Sequence, residues 1–385
     1  MRCVEEYRNI YEKEPMDVSF CPYRICPIGA HSDHNLGKIT GFAINKGINI
    51  AYGISEAEEI SVTSLDFDSS NFWHINDIKK SNDWADYLRG ATYCLNKKYP
   101  LSYGVNCVIE GSLPIGGLSS SAAVIIAFIN CLLKANNISI SKQELIDIAY
   151  VAENEFVGVK VGKLDQSCVV LSKKDHLLYL DTKDNSYQLI KKPLNMKAFD
   201  IVVFYSGLEH SLVTSGFNDR VKELKSAAKS LAKLSGIDID DPLCRDIPME
   251  VYEKYKDSLN EIERLRANHW FSEFKRVELG AKAFEDGDIE EYGRLIFESG
   301  ESSIVNWQTG AKEQIRLYEI MKETKGIYGG RFSGAGFKGS CIGLVNKEYT
   351  NSVIEEVSKK YIESFPQLKD KYKAYICETC DGVML

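Results

Sequence analysis

LPIGGLSSSAAVIIAF, residues 113–128, is the stretch on which the reading of this chain turns. Gly116 and Gly117 form a turn that feeds Ser119, Ser120 and Ser121 directly into a long apolar helix, expected over residues 119–135. The unpaired N–H groups of a helix start and the positive end of its dipole converge there, so a small anion could sit against them. The segment lacks the lysine of GxxxxGK[ST] and is not a Walker A loop. Glycine and serine at a helix start are also plain capping chemistry, so taken alone the segment reads equally well as a phosphate cradle or as a cap.

Working outward, CPYRICPIGAHSDHN (residues 21–35) joins a strand to a tight loop and crowds Arg24, His31, Asp33 and His34 into a dozen residues. A solvated turn does not require that density. A metal site is disfavoured, because these spacings do not put three ligands on one face of a strand or helix. Downstream, VAENEFVGVKVGKLDQ (residues 151–166) sets Glu153 on a helix end and Asp165 after a glycine loop. Lone acids of this kind are usually surface charges. In GIYGGRFSGAGFKGSCIGLV (residues 326–345) six glycines fall within fourteen residues ahead of an apolar strand. Either backbone approaches something closely there, or a chain of tight turns takes positive φ.

The remainder of the chain sets bounds. Its 385 residues suggest two domains at roughly 150 residues each. With 44% hydrophobic and 26% charged residues it is an ordinary globular composition. Lys and Arg total 47 against 55 Asp and Glu, so there is no global basic field and no nucleic-acid partner is expected, while a local cationic pocket for a small anion remains open. The longest apolar stretch, residues 122–133, is too short for the roughly 20 residues that span a bilayer. The first fifteen residues mix acids and bases without an apolar run, and eleven scattered cysteines suit a reducing compartment, so a cytoplasmic protein is expected. Cys377 and Cys380 form a CxxC that reads best as part of a terminal strand.

Strand-like runs fall at residues 18–24, 47–53, 60–63 and 105–110, and helical patterns at 84–96, 119–135 and 141–156, the last opened by a Ser141/Glu144 capping box. A buried strand at 199–204 follows the loop KKPLNMK, which divides the chain into domains 1–196 and 197–385. Beyond it come helices at 221–234, 261–286, 289–298, 313–322 and 351–365 with strands CIGLV and YKAYIC, an α+β second half.

In this order the segments resemble the three signatures of the GHMP family of small-molecule kinases, in its galactokinase branch. The PGRxNLIGEHTDY-like opening corresponds to PYRICPIGAHSDH, the PxGxGLSSSA loop to PIGGLSSSAA, and GxRxTGxGFGGC to GGRFSGAGFKGSC; WADYLRG (84–90), AENxF (152–156), GKLDQ (162–166) and HSL (210–212) match as well. The resemblance covers nearly the whole chain. It implies a two-domain α+β fold, with a first domain like domain 2 of ribosomal protein S5, a ferredoxin-like second domain, and the site in the cleft between them. It implies ATP and Mg²⁺, a sugar or uronic acid as the only other partner, and a monomer or weak homo-oligomer.

Residue by residue, the resemblance makes Asp165 the aspartate that orients or deprotonates an anomeric hydroxyl and Arg24 the arginine beside it. Ser121 and Glu153 take the Mg²⁺ positions. Trp84, Gly116, Gly117, Leu118, Ser119, Ser120, Ser121 and Ala122 fall at nucleotide and phosphate positions. His31 and Asp33 contact sugar hydroxyls, and Tyr23, Ala30, Gly162, Phe217 and Lys338 complete the acceptor side.

The departures carry specificity. Where galactokinases have glutamate before the histidine, this chain has Ala30; Tyr23 stands for the glycine of PGR, and Lys338 for a glycine of GFGG. Two like charges about 4 Å apart at an effective dielectric near 20 repel by about 4 kcal/mol, enough to exclude a uronic acid from a site holding that glutamate. Ala30 removes the repulsion and Lys338 could add attraction, as in galacturonokinases, which this combination resembles. The expected reaction is phosphorylation of D-galacturonate at its anomeric hydroxyl, with galactose as the alternative acceptor and a non-catalytic sugar sensor as a minor one. The serine loop is one residue shorter than usual, leaving Ser120 open as the Mg²⁺ serine, and Phe217 replaces a tyrosine.

Overall fold

The computed structural model describes residues 1–55, 57–208, 216–336 and 339–385, the side chain of Phe217 excepted. In chain order the first half forms α1 (Arg2–Tyr11), β1 (Asp17–Ile25), β2 (Lys38–Ser55), β3 (Glu59–Ser64), β4 (Ser69–His74), α2 (Asp86–Lys98) and β5 (Gly104–Gly111). It continues through α3 (Ser120–Ala135), α4 (Lys142–Val151), a π-helical turn (Ala152–Val157), α5 (Leu164–Leu171), β6 (His176–Asp181) and β7 (Tyr187–Lys191). The second half forms β8 (Phe199–Tyr205), α6 (Phe217–Ser235), α7 (Met249–Tyr255), α8 (Glu261–Asp286), α9 (Ile289–Val305) and α10 (Lys312–Glu323). It closes with β9 (Ile327–Phe332), β10 (Ser340–Asn346), α11 (Thr350–Ser364) and β11 (Lys373–Cys377).

Two sheets organise these elements. The first runs β4-β3-β5-β2-β6-β7 with β1 added against β2, and its β3–β5 pair is parallel. The second, β11-β8-β10-β9, is antiparallel throughout and carries α10 and α11 on its apolar face, the ferredoxin-like arrangement expected of the second half. The α+β two-domain expectation therefore holds. Apart from Asn130, residues 122–133 are apolar, which suits a helix enclosed over most of its surface. Accordingly α3 packs against β1, β2 and β5 and against α2, α4 and α5.

The structure adds features that local patterns do not carry. The strand read at 47–53 is the end of an 18-residue β2 that pairs with β1, β5 and β6 in turn. The helix read at 141–156 has its Ser141/Glu144 capping box, but from Ala152 to Val157 the chain winds as a π-turn capped by Gly158. Residues 379–384 return to the first half, where Cys380 N donates to Ala43 O (3.0 Å) and Val383 N to Val169 O (2.8 Å). The principal apolar core also crosses the expected division, since Val277, Phe284, Tyr292, Ile342 and Val383 pack with α3 and the first sheet. All eleven cysteines are free and nine are buried, as small apolar side chains are.

Candidate active site

Ser119 takes a left-handed conformation (φ +58°) directly before α3, and its hydroxyl caps nothing. That hydroxyl is buried without a hydrogen-bond partner, and the first N–H groups of α3 stand beside it. A purely structural cap would have satisfied both. Just upstream, a Cβ on Gly117 would stand 2.4 Å from the Ser333 carbonyl oxygen, and one on Gly339 would stand 2.7 Å from the Gly116 carbonyl carbon. The serine loop and the glycine segment between β9 and β10 thus meet backbone to backbone. Ser333 Oγ donates to Gly117 O (2.6 Å) and Ser340 Oγ to Gly116 O (3.0 Å), locking the two halves together at this point. Close approach is the reason for the glycine density.

Arg24 projects from β1 toward the same loop. Its Nε donates to Asp165 Oδ1 (2.8 Å) and its Nη1 to Gly117 O (3.1 Å). Burial works against the guanidinium charge, but Asp165 outweighs it and holds Arg24 more firmly protonated than usual. Asp165, on the first turn of α5, keeps part of its carboxylate open while Arg24 is almost fully covered.

Behind this pair, the π-turn turns Glu153 inward, to zero exposure. Its Oε2 accepts from Gln166 Nε2 (2.7 Å), and its Oε1 has no hydrogen bond. Burial, and then the charge of Asp165, push the Glu153 carboxyl up to about 7, opposed in part by Ser121, Arg24 and Gln166. A buried acid with an unbonded oxygen, a serine hydroxyl beside it and a second carboxylate nearby is a fitting donor set for a divalent cation that takes its other ligands from phosphates and water.

The remaining wall comes from the loop after β1. Asp33 Oδ2 accepts from Leu164 N (3.2 Å) and occupies the space where a Gly162 side chain would lie, 2.1 Å from that Cβ. His31 adopts φ +65°, stacks on Trp307 with ring centroids 5.2 Å apart, and is kept neutral by burial and by the cations around it. Ala30 lies beside it and adds no charge.

These groups line one cavity of about 540 Å³. Among the described side chains, every residue assigned in the sequence lies in its wall except Tyr23, Leu118 and Ala122. Tyr23 neighbours Arg24 on β1, and strand alternation turns its ring to the opposite face, into the core. The Leu118 side chain is core as well, and only its carbonyl reaches Arg24, accepting from the backbone N (3.3 Å). Ala122 is fully buried on the inner side of α3. Lys338 and the HSL segment lie outside the described residues, as does the Phe217 side chain, whose backbone opens α6. At the mouth, Trp84 stacks on Phe67 (centroids 5.5 Å, 17° between planes) and donates from Nε1 to Ser69 Oγ (2.7 Å). Phe67 and Asp66 also line the cavity, though DFDSSN reads only as a polar turn in the sequence.

Two glycine loops meeting at a helix start, an Arg–Asp pair beside them, and a buried acid suited to a divalent cation define a small-molecule kinase cleft. The chain belongs to the GHMP kinase family. Residues 86–173 match the GHMP kinase N-terminal domain and residues 281–363 the GHMP kinase C-terminal domain. The chain is 36% identical to a galacturonokinase of Arabidopsis thaliana, with 96% of this chain and 94% of that protein covered. It is 30% identical to a galactokinase of Limosilactobacillus fermentum, over 97% of each. The galactokinase of Lactococcus lactis, solved with galactose, superposes with a TM-score of 0.90 at 25% identity, covering 99% of this chain and 98% of that one. The mevalonate kinase of Methanococcus jannaschii shares the fold, with a TM-score of 0.68 at 19% identity over 95% of this chain and 98% of that one.

Proposed function

We propose that this chain transfers the γ-phosphoryl group of ATP to the anomeric hydroxyl of D-galacturonate, giving galacturonate 1-phosphate and ADP. The observation that carries this reading is the Arg24–Asp165 pair, 2.8 Å apart, sharing a cavity wall with uncharged Ala30 where galactokinases have glutamate. The galacturonokinase relative supports the same acceptor.

Asp165 accepts the hydroxyl proton as the anomeric oxygen bonds to the γ-phosphorus and the bond to the β–γ bridging oxygen breaks. Arg24 fixes the orientation of Asp165 and stabilises charge on the transferring group. The α3 start, with Ser119 and Ser120, receives phosphate oxygens at its free N–H groups. Glu153 and Ser121 hold Mg²⁺, which supplies neutralisation of the phosphate charge. Asp33 and neutral His31 bind sugar hydroxyls, and the Trp84–Phe67 stack takes the base. Ala30 admits the acceptor's carboxylate, with Lys338 as its counter-charge. The enzyme works in the cytoplasm as a monomer or weak homo-oligomer; among the described residues no helix is long and apolar enough to cross a membrane.

Galactose is the second reading, favoured by the several galactokinases about 30% identical to this chain. Introducing the charge separates the two. Ala30→Glu lowers kcat/KM for galacturonate by about 100-fold or more and leaves galactose within about 5-fold, because about 4 kcal/mol of repulsion acts only on the acid. Equal losses on both acceptors would remove Ala30 from the acceptor's outer end.

A further inference from the structure

The loop that carries Ala30 is held in shape by one helix from the far half of the chain. On α8, Glu273 Oε1 accepts from Gly29 N (2.7 Å), His269 Nε2 lies 3.0 Å from Ala30 O, and Trp270 Nε1 donates to Ser32 O (3.1 Å). All three side chains are at most 2% exposed. Residues 269, 270 and 273 share one face of a helix, so a single rigid element holds three backbone groups of a four-residue turn.

The direction of each bond around His269 follows from chemistry. The Ala30 carbonyl can only accept, so Nε2 carries the hydrogen. Burial pushes the imidazole down to about 4, with Glu273 and the Ala30 carbonyl opposing, so the ring is neutral and Nδ1 bears a lone pair. Ser302 Oγ, 2.9 Å from Nδ1, is therefore the donor, and its own oxygen accepts from Asn306 Nδ2 (3.1 Å). The tautomer is fixed by a chain running from α9 to the acceptor loop. Beneath it, Glu273 also meets Arg331 (3.5 Å) on β9, two residues before Ser333.

We propose that His269 is a positioning residue that sets acceptor specificity through Ala30, holding the Ala30 peptide so that its methyl group, and no polar atom, faces the acceptor's outer end. This rests on the reading that Ala30 faces the acceptor. His269 touches neither substrate; it acts on the loop that does.

The test is a set of three variants assayed with galacturonate, galactose and ATP. His269→Phe keeps a ring but cannot donate to Ala30 O, and it raises the acceptor KM by about 10-fold or more while the ATP KM stays within about 2-fold. The galacturonate-to-galactose ratio of kcat/KM falls by about 5-fold or more. His269→Gln, whose amide can donate to the same carbonyl, recovers most of both. Ser302→Ala retains the ring but removes the donor to Nδ1, together with the acceptor of Asn306 Nδ2, giving a shift of about 3-fold in acceptor KM. If His269→Phe does not fold, Ser302→Ala carries the decision. Acceptor and ATP KM rising together, an unchanged acceptor ratio, or no recovery with glutamine would overturn the proposal. A wild-type enzyme that prefers galactose would instead defeat the uronate reading, while the KM split measured on galactose would still decide the role of His269.

Discussion

At the scale of single residues, the proposed mechanism divides the chemistry between Glu153 and Asp165. With its carboxyl pushed up to about 7, Glu153 is largely protonated below that pH and ionised above it. Binding of Mg²⁺ with ATP therefore strengthens as pH rises from about 6 to 8, because the cation competes with one proton for the carboxylate. Glu153→Gln flattens that dependence in an ATP titration; a slope that survives the substitution would assign it elsewhere. Asp165→Asn lowers kcat by about 10³-fold and leaves ATP affinity within about 3-fold. Near-normal turnover would take Asp165 out of proton transfer. That Asp165, Arg24 and Glu153 share one cavity is foreshadowed by the local motif in which each sits. Phe67 is not, since a turn residue acquires its partner Trp84 only through tertiary folding; His269 falls inside the helix expected at 261–286 and Trp307 outside every expected element, and neither carries a local motif.

At the scale of elements, the two glycine loops share one restriction. Gly117 has φ +80° and faces the Ser333 carbonyl, and its own oxygen accepts from both Arg24 and Ser333. Gly117→Ala is expected to lower Tm by several degrees and kcat by about 10-fold or more, since left-handed strain and a backbone clash act together. Gly236→Ala is the control, with φ +73° and nothing within 4 Å, and there kcat stays unchanged. A kcat loss no larger at Gly117 than at Gly236 would contradict the loop contact. The glycine density was visible in the sequence, but not what the glycines approach. The segment at 141–156 shows a second limit, because a single π-turn hardly disturbs an apolar pattern of helical period.

At the scale of the whole molecule, the division at 196/197 lies in the loop between the two sheets, yet the core and the site both cross it. Val383 packs with the first half, and α8 of the second half holds the loop after β1 through Gly29, Ala30 and Ser32. Periodicity reports which face of an element is apolar and says nothing of the distant element that covers it, so α8 was foreseen as a helix but not as a template. The strand order had the same fate. The two-domain fold itself was legible only through the ordered set of motifs. The central claim, phosphorylation of a uronic acid at its anomeric carbon, is tested most directly by ADP release with ATP and Mg²⁺ against galacturonate, glucuronate, galactose, glucose and N-acetylgalactosamine, with phosphorus-coupled NMR locating the phosphate. Galacturonate is expected to give the highest kcat/KM, with the phosphate on C1; a preference for galactose, or phosphate on any other carbon, would contradict that claim.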